Sequence, residues 1–228
     1  MAKLPTQRSS SGEIDSFLKK TRDITTFVSR QPRLMFCIDA TASRQPTWDR
    51  ASHLQQEMFQ ATAQAASLAV QLCYYRGFSD FYASPWLGDS EQLARTMARV
   101  QCEGGHTQIG RLLKHALAEH RKTPIRALVF IGDALEESPD TLCQLAGQAG
   151  LLKLPLFLFQ EGSDAHARQC FRQLARLSGG AWASFDTSSA RTLAELLGAV
   201  ASYAAGGQAA LENQGSDSAK LLLKQLKD

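Results

Sequence analysis

The chain has no run approaching the 18 or so apolar residues that a membrane-spanning helix requires, and no apolar stretch follows its first basic residues. Neither a leader peptide nor a membrane span is therefore expected, and the expected location is the cytoplasm. The five cysteines (Cys37, Cys73, Cys102, Cys143 and Cys170) form no CxxC pair. An odd, widely spaced set excludes a disulfide framework and fits reduced thiols, with Cys37 and Cys73 in buried strands. No GxxxxGKS/T phosphate loop and no GxSxG turn is present, and "GHTQIG" lacks the GxGxxG spacing. Trp48, Trp86 and Trp182 are scattered and offer no platform on which bases could stack. Cys102, His106, His115 and His120 do not make a zinc set, because His115 and His120 are five apart on a helix and point in different directions.

Charge of one sign is also scarce. Residues 1–33 hold seven Lys/Arg against three acids, a surplus of four positive charges, while the whole chain is only +3. The remainder is therefore −1, a poor balance for nucleic-acid binding, which rests on many phosphate contacts.

What is present is a soluble composition, 44% hydrophobic and 21% charged. Residues 1–32 read as a polar start followed by an amphipathic helix over 14–28, with Ser10 or Ser11 as its cap. From Arg33 short apolar runs alternate with longer helical stretches. "RLMFCID", "AVQLCYYR", "DFYASPW", "IRALVFIGD", "LPLFLFQ" and "GAWASFD" read as strands. Helices are expected near residues 48–68, 90–100, 107–121, 139–150, 165–177 and 191–204. The link at Arg76-Gly77 is too short for a parallel crossover, so "DFYASPW" must run antiparallel and, containing Pro85, must lie at an edge. The expected fold is α/β: a doubly wound, mostly parallel six-stranded sheet with one antiparallel edge strand and helices on both faces. Residues 33–205 form this domain. Residues 206–228 read as a flexible linker and a short amphipathic segment, "AKLLLKQLKD".

In such a sheet ligands sit beyond the carboxyl ends of the strands, where the strand order reverses. With the first strand central and the fourth beside it, "DATAS" (Asp39, Thr41, Ser43) and "VFIGD" (Asp133) meet there. "EGGHTQIG" brings Thr107 to the same volume, its glycines allowing close backbone approach. Two carboxylates and three hydroxyls are hard oxygen donors, suited to Mg2+, or to Mn2+ or Ca2+, and unsuited to zinc or copper. Each piece also has a plain structural reading: Asp39 or Thr107 as a helix cap, Asp133 as a turn residue.

Together these motifs resemble the metal-ion-dependent adhesion site of von Willebrand factor A (VWA) domains, over about residues 33–205. The resemblance implies that Thr41, Ser43 and Thr107 bind the ion directly and that Asp39 and Asp133 act largely through water. It implies a non-enzymatic module that grips an Asp or Glu of a protein partner, and the adaptor role beside ATPases or chaperones that intracellular bacterial members serve. Two departures stand out. Thr41 replaces the usual Ser, and "GDALEES" replaces the usual glycine after the third motif with a run containing Glu136 and Glu137. These acids either raise metal affinity or fill the position meant for a partner's carboxylate. A haloacid dehalogenase-type phosphohydrolase, with Asp39 as nucleophile and Asp133 and Glu137 as an acidic metal motif, is the alternative. That chemistry needs a carboxylate two residues after the nucleophile, where Thr41 stands. A metal-free scaffold with a vestigial site is the third reading.

Overall fold

The computed structural model describes residues 31–44, 68–186 and 190–226, with positions 16 and 19 in isolation. The helices expected over 14–28 and 48–68 fall almost wholly outside them. Six strands form one sheet: β1 (Arg33–Asp39), β2 (Ala69–Arg76), β3 (Asp80–Ala83), β4 (Ala127–Gly132), β5 (Leu156–Glu161) and β6 (Ala181–Phe185). Their order is β3-β2-β1-β4-β5-β6, all parallel except β3. The expected fold class is observed, including the antiparallel edge. β3 is shorter than "DFYASPW" suggests: it stops at Ala83, because Pro85 lacks the N–H needed to extend a ladder.

The helices are α1 (Ser90–Met97), α2 (Ile109–Lys122), α3 (Pro139–Leu151), α4 (Ala165–Ser178), α5 (Ala190–Gln214) and α6 (Asp217–Leu226). Side chains alternate across each strand, so the strands divide their apolar residues between two cores. Phe36, Ile38, Leu72, Val129 and Ile131 face α1, α5 and α6. Met35, Cys37, Cys73, Leu128 and Phe130 face α2, α3 and α4. Burial on both faces explains why β1, β4 and β5 read as continuous apolar runs. All five cysteines are free, and Cys37 and Cys73 are buried as expected.

The C-terminal region differs from expectation. Residues 206–214 continue α5 rather than forming a linker, with a kink at Gly207, whose φ of 69° departs from helical geometry. The Gly, Gln and Ser content of "GGQAALENQGS" suggests a flexible linker. Yet Leu211 is fully buried, and Ala219 and Leu222 of α6 join the same core. The amide of Gln225 accepts from Trp182 N–H at 2.9 Å and donates to the Trp182 carbonyl at 2.9 Å, which fastens α6 to β6. A Leu222→Ala variant should lose about 2–4 kcal/mol in urea unfolding, the usual result of emptying a buried leucine site. A loss below about 0.5 kcal/mol would mean that α6 is tethered rather than packed.

Candidate functional site

The register of the central strands sets the site. Ile38 of β1 lies opposite Ile131 of β4, so the chain leaves both strands at one level, through Asp39 and Asp133. This is where the strand order reverses. Asp39 is fully buried, and both its carboxylate oxygens are engaged: Thr41 N–H donates to Oδ1 at 2.8 Å and the Tyr75 hydroxyl donates to Oδ2 at 3.1 Å. The first bond folds the chain back over the strand end. It starts the single 3-10 turn at Ala42–Arg44 and leaves the Thr41 and Ser43 hydroxyls 3.2 Å apart in one hydrogen bond.

The loop before α2 is fastened to this turn by its backbone. Glu103 N–H donates to the Ala40 carbonyl at 3.0 Å, and Thr41 and Glu103 form an isolated parallel bridge. A β-carbon on Gly105 would overlap the Gly77 carbonyl, so the glycine permits the close approach that the sequence suggested. Thr107 thereby arrives, nearly buried, on the same end of the sheet.

Glu136 and Glu137 hold Thr107 from the other side. Glu136 N–H donates to Thr107 Oγ1 at 3.0 Å, while Thr107 N–H donates to Glu136 Oε2 at 3.2 Å. His106 Nδ1 lies 2.9 Å from the same Oε2. Glu137 accepts from Ile109 N–H at 2.6 Å and from Gly110 N–H at 2.8 Å. Gln108, the residue at the cap position of α2, makes no side-chain cap bond; Glu137, from a distant loop, supplies it. Burial pushes the Glu137 carboxyl upward, against the two amides and the Thr107 hydroxyl, which favour its charged form.

Asp133 is different. Its Oδ1 is buried and has no hydrogen-bond partner among the described residues. A buried carboxylate oxygen in that state calls for a donor or a cation. Burial also holds the Tyr75 hydroxyl well above the usual phenol range, with the charges of Asp39, Glu137 and Asp133 adding to the effect. One phenol therefore senses all three acids and stays a neutral donor.

The structure brings Asp39, Thr41 and Ser43 into one turn, and ties that turn to the loop carrying Thr107. It joins Thr107 to Glu136 and Glu137, and sets Asp133 at the adjoining strand end. Among the described residues no three His, Cys, Asp or Glu side chains are grouped to hold a metal, so a cation here would depend on hydroxyl oxygens. The histidines have other work. His115 Nε2 lies 3.1 Å from Gln71 Oε1, and His120 pairs with the Leu152 carbonyl and Ile125 N–H. Sequence reasoning missed Tyr75 and the capping role of Glu137. The signal for Tyr75 was a polar-tipped aromatic near the end of a mostly apolar strand, in register with Asp39.

No family model matches the chain, and no curated protein matches it. Solved structures do. The VWA domain of SpRpn10 superposes with a TM-score of 0.55 at 12% identity, over 72% of this chain and 95% of that one. An aerotolerance-related membrane protein from Bacteroides fragilis gives 0.58 at 14% identity, over 72% and 96%. The vWF domain of the type V pili tip protein Mfa5 from Porphyromonas gingivalis gives 0.57 at 10%, over 76% and 95%. At such identities the likeness is one of fold, and the fold is that of VWA domains. No described helix is long and apolar enough to cross a membrane.

Two expectations follow. Glu137→Ala should strip α2 of its cap and lower unfolding free energy by about 1–2 kcal/mol; an unchanged urea midpoint would mean that water replaces the carboxylate at no cost. Tyr75→Phe should cost about 1–3 kcal/mol, because it leaves Asp39 Oδ2 short of a donor in a buried site. A neutral result in the same assay would show that the second oxygen finds another partner.

Proposed function

We propose that this chain is a protein-interaction module, not a catalyst, that holds one divalent cation between the ends of β1 and β4 and uses it to grip an acidic side chain of a protein partner. The observation that carries this is the buried, unpartnered Asp133 Oδ1, beside a turn that presents two hydroxyls. Thr41, Ser43 and Thr107 would bind the ion directly, and Asp39 and Asp133 would act through water. Hard oxygen donors of this kind suit Mg2+ or Mn2+, or Ca2+. Support for the indirect role of Asp39 comes from its two oxygens, each of which already accepts a hydrogen bond, from Thr41 N–H and from the Tyr75 hydroxyl, that fixes its orientation.

When bound, the ion would supply a positive charge with a position open to an incoming carboxylate. The residues of the chain orient and exclude. Asp39 sets the turn, Glu136 and Glu137 fix Thr107 and the helix it precedes, and Tyr75 holds the Asp39 carboxylate. The proposal includes a cytoplasmic adaptor role beside an ATPase or chaperone. The phosphohydrolase alternative is disfavoured by the complete burial of Asp39 and by Thr41 at the position of the needed acid and base.

Titrating Mg2+ or Mn2+ during thermal unfolding tests the site. Wild type should gain about 2.7 kcal/mol at a hundredfold excess over the dissociation constant, and Ser43→Ala should gain much less. No shift in either protein would favour the metal-free scaffold. Affinity capture with and without chelator tests the partner, whose release by chelator is expected; capture that chelator leaves intact would sink the metal-mediated grip.

A further inference from the structure

At the opposite end of the sheet the chain turns out apolar side chains that no part of the fold uses. Leu151 is 87% exposed, Leu177 41% and Leu152 37%. They converge where α2, α3 and α4 end. The Leu152 carbonyl accepts from His120 of α2 at 3.0 Å, and a β-carbon on Gly150 of α3 would overlap the Leu177 carbonyl at the end of α4. Single exposed leucines are ordinary, but three gathered at one place are not.

The surroundings are one-sided in charge. Residues 120–126, 149–154 and 174–180, which build this base, carry five Lys/Arg (Arg121, Lys122, Arg126, Lys153 and Arg176) and no acid. Lys122 is paired with Glu119, whereas Arg121, Lys153 and Arg176 form no ion pair among the described residues. Lys153 also holds a left-handed backbone, φ 60°, in the turn after α3, a conformation that glycine or asparagine adopts with less strain. That conformation closes α3, with Lys153 N–H donating to the Gly150 carbonyl at 3.0 Å and Leu154 N–H to the Ala149 carbonyl at 2.9 Å; the cap explains the backbone there, but neither the lysine side chain nor the exposed leucines around it.

We infer that this base is a docking surface for an acidic amphipathic helix of a partner protein, its apolar side chains meeting Leu151, Leu152 and Leu177 and its carboxylates meeting Arg121, Lys153 and Arg176. Charge selects this occupant. The chain's own residues 1–33, with their surplus of four positive charges, would be repelled, as would the same basic face of a second copy. A membrane surface fits less well, because the patch has no tryptophan or tyrosine of the kind enriched at lipid headgroups.

The test is a phage-displayed library of amphipathic helices of about 15 residues, unbiased in charge and selected on the full chain. The enriched peptides should be acidic, with apolar residues at helical spacing. A synthesised winner should bind at least about tenfold more weakly when Leu151→Ser and Leu177→Ser are combined, the loss typical of central apolar contacts. Arg176→Glu should weaken it similarly. Lys153→Asn should weaken it without lowering the melting temperature, an outcome that a purely structural lysine would not give. Binding should persist in chelator, which separates this surface from the cation site whatever becomes of the latter. Neutral or basic winners, or undiminished binding to the leucine double variant, would overturn the inference. So would binding to phosphatidylserine vesicles, or a concentration-dependent dimer, that the same double variant abolishes.

Discussion

A fully buried carboxylate constrains the structure at the carboxyl end of this sheet. Asp39 stands at the end of the central strand with no exposure to water, where an unsatisfied charge would cost several kcal/mol. Its two oxygens are satisfied by a backbone N–H two residues on and by a phenol from the neighbouring strand. The first bond dictates the turn that presents Thr41 and Ser43. The second ties that turn to β2, so the hydroxyl pair is held by the sheet rather than by a free loop. A sheet carries this load because β1 is flanked on both sides, by β2 and β4, and buried on both faces.

Much of this was legible in the sequence, for physical reasons that particular residues make plain. β1, β4 and β5 are apolar throughout because both their faces are covered, and that alone marks a parallel sheet. The three-residue link between Arg76 and Asp80 left only an antiparallel return for β3. Asp39 and Asp133 could be placed together because a doubly wound sheet leaves few orders for its strands. Other features had no local signature. Glu137 caps α2 across a gap of 27 and 28 residues, and its role depends on loop geometry that no spacing rule encodes. "EES" therefore read as extra charge near the site, while its carboxylates bond to backbone amides. The tail was misread because Gly206, Gly207 and Gly215 dominate its composition, whereas burial of Leu211 and Leu222 decides its structure.

The two ends of the sheet divide the molecule by chemistry. At the carboxyl ends of the strands, hydroxyls and carboxylates converge on a small polar volume. At the amino ends, leucines and basic side chains, three of them without an ion pair among the described residues, are spread over the tips of three helices. The orientation follows from the topology: parallel strands send every crossover helix back, so α2, α3 and α4 all end at the base, where their terminal carbonyls favour positive side chains. His120, Arg121 and Lys122 in the last turn of α2, and Arg176 in that of α4, fit this field. The helix dipoles thus account for basic residues at this end, but not for the exposed leucines among them.

The same dipole reasoning bears on charge balance at the top. Four acids lie around the strand ends: Asp39, Asp133, Glu136 and Glu137. Were all four free to face one cation, they would overwhelm its charge and leave nothing to attract a partner's carboxylate. They are not equally free. Glu137 is turned onto the first amides of α2, where the helix N-terminus offsets its charge, and Glu136 is bonded to Thr107 N–H and His106. The Thr107 hydroxyl meanwhile accepts from Glu136 N–H, leaving it one lone pair. With Asp39 engaged by two donors, Asp133 is the one of the four acids with a buried oxygen that lacks a hydrogen-bond partner among the described residues. An ion held there would meet mostly neutral oxygens and would retain the charge needed to draw in an acidic side chain. At Glu136 and Glu137 the carboxylates thus turn to backbone amides of the loop and helix around Thr107, Glu137 with both oxygens and Glu136 with one.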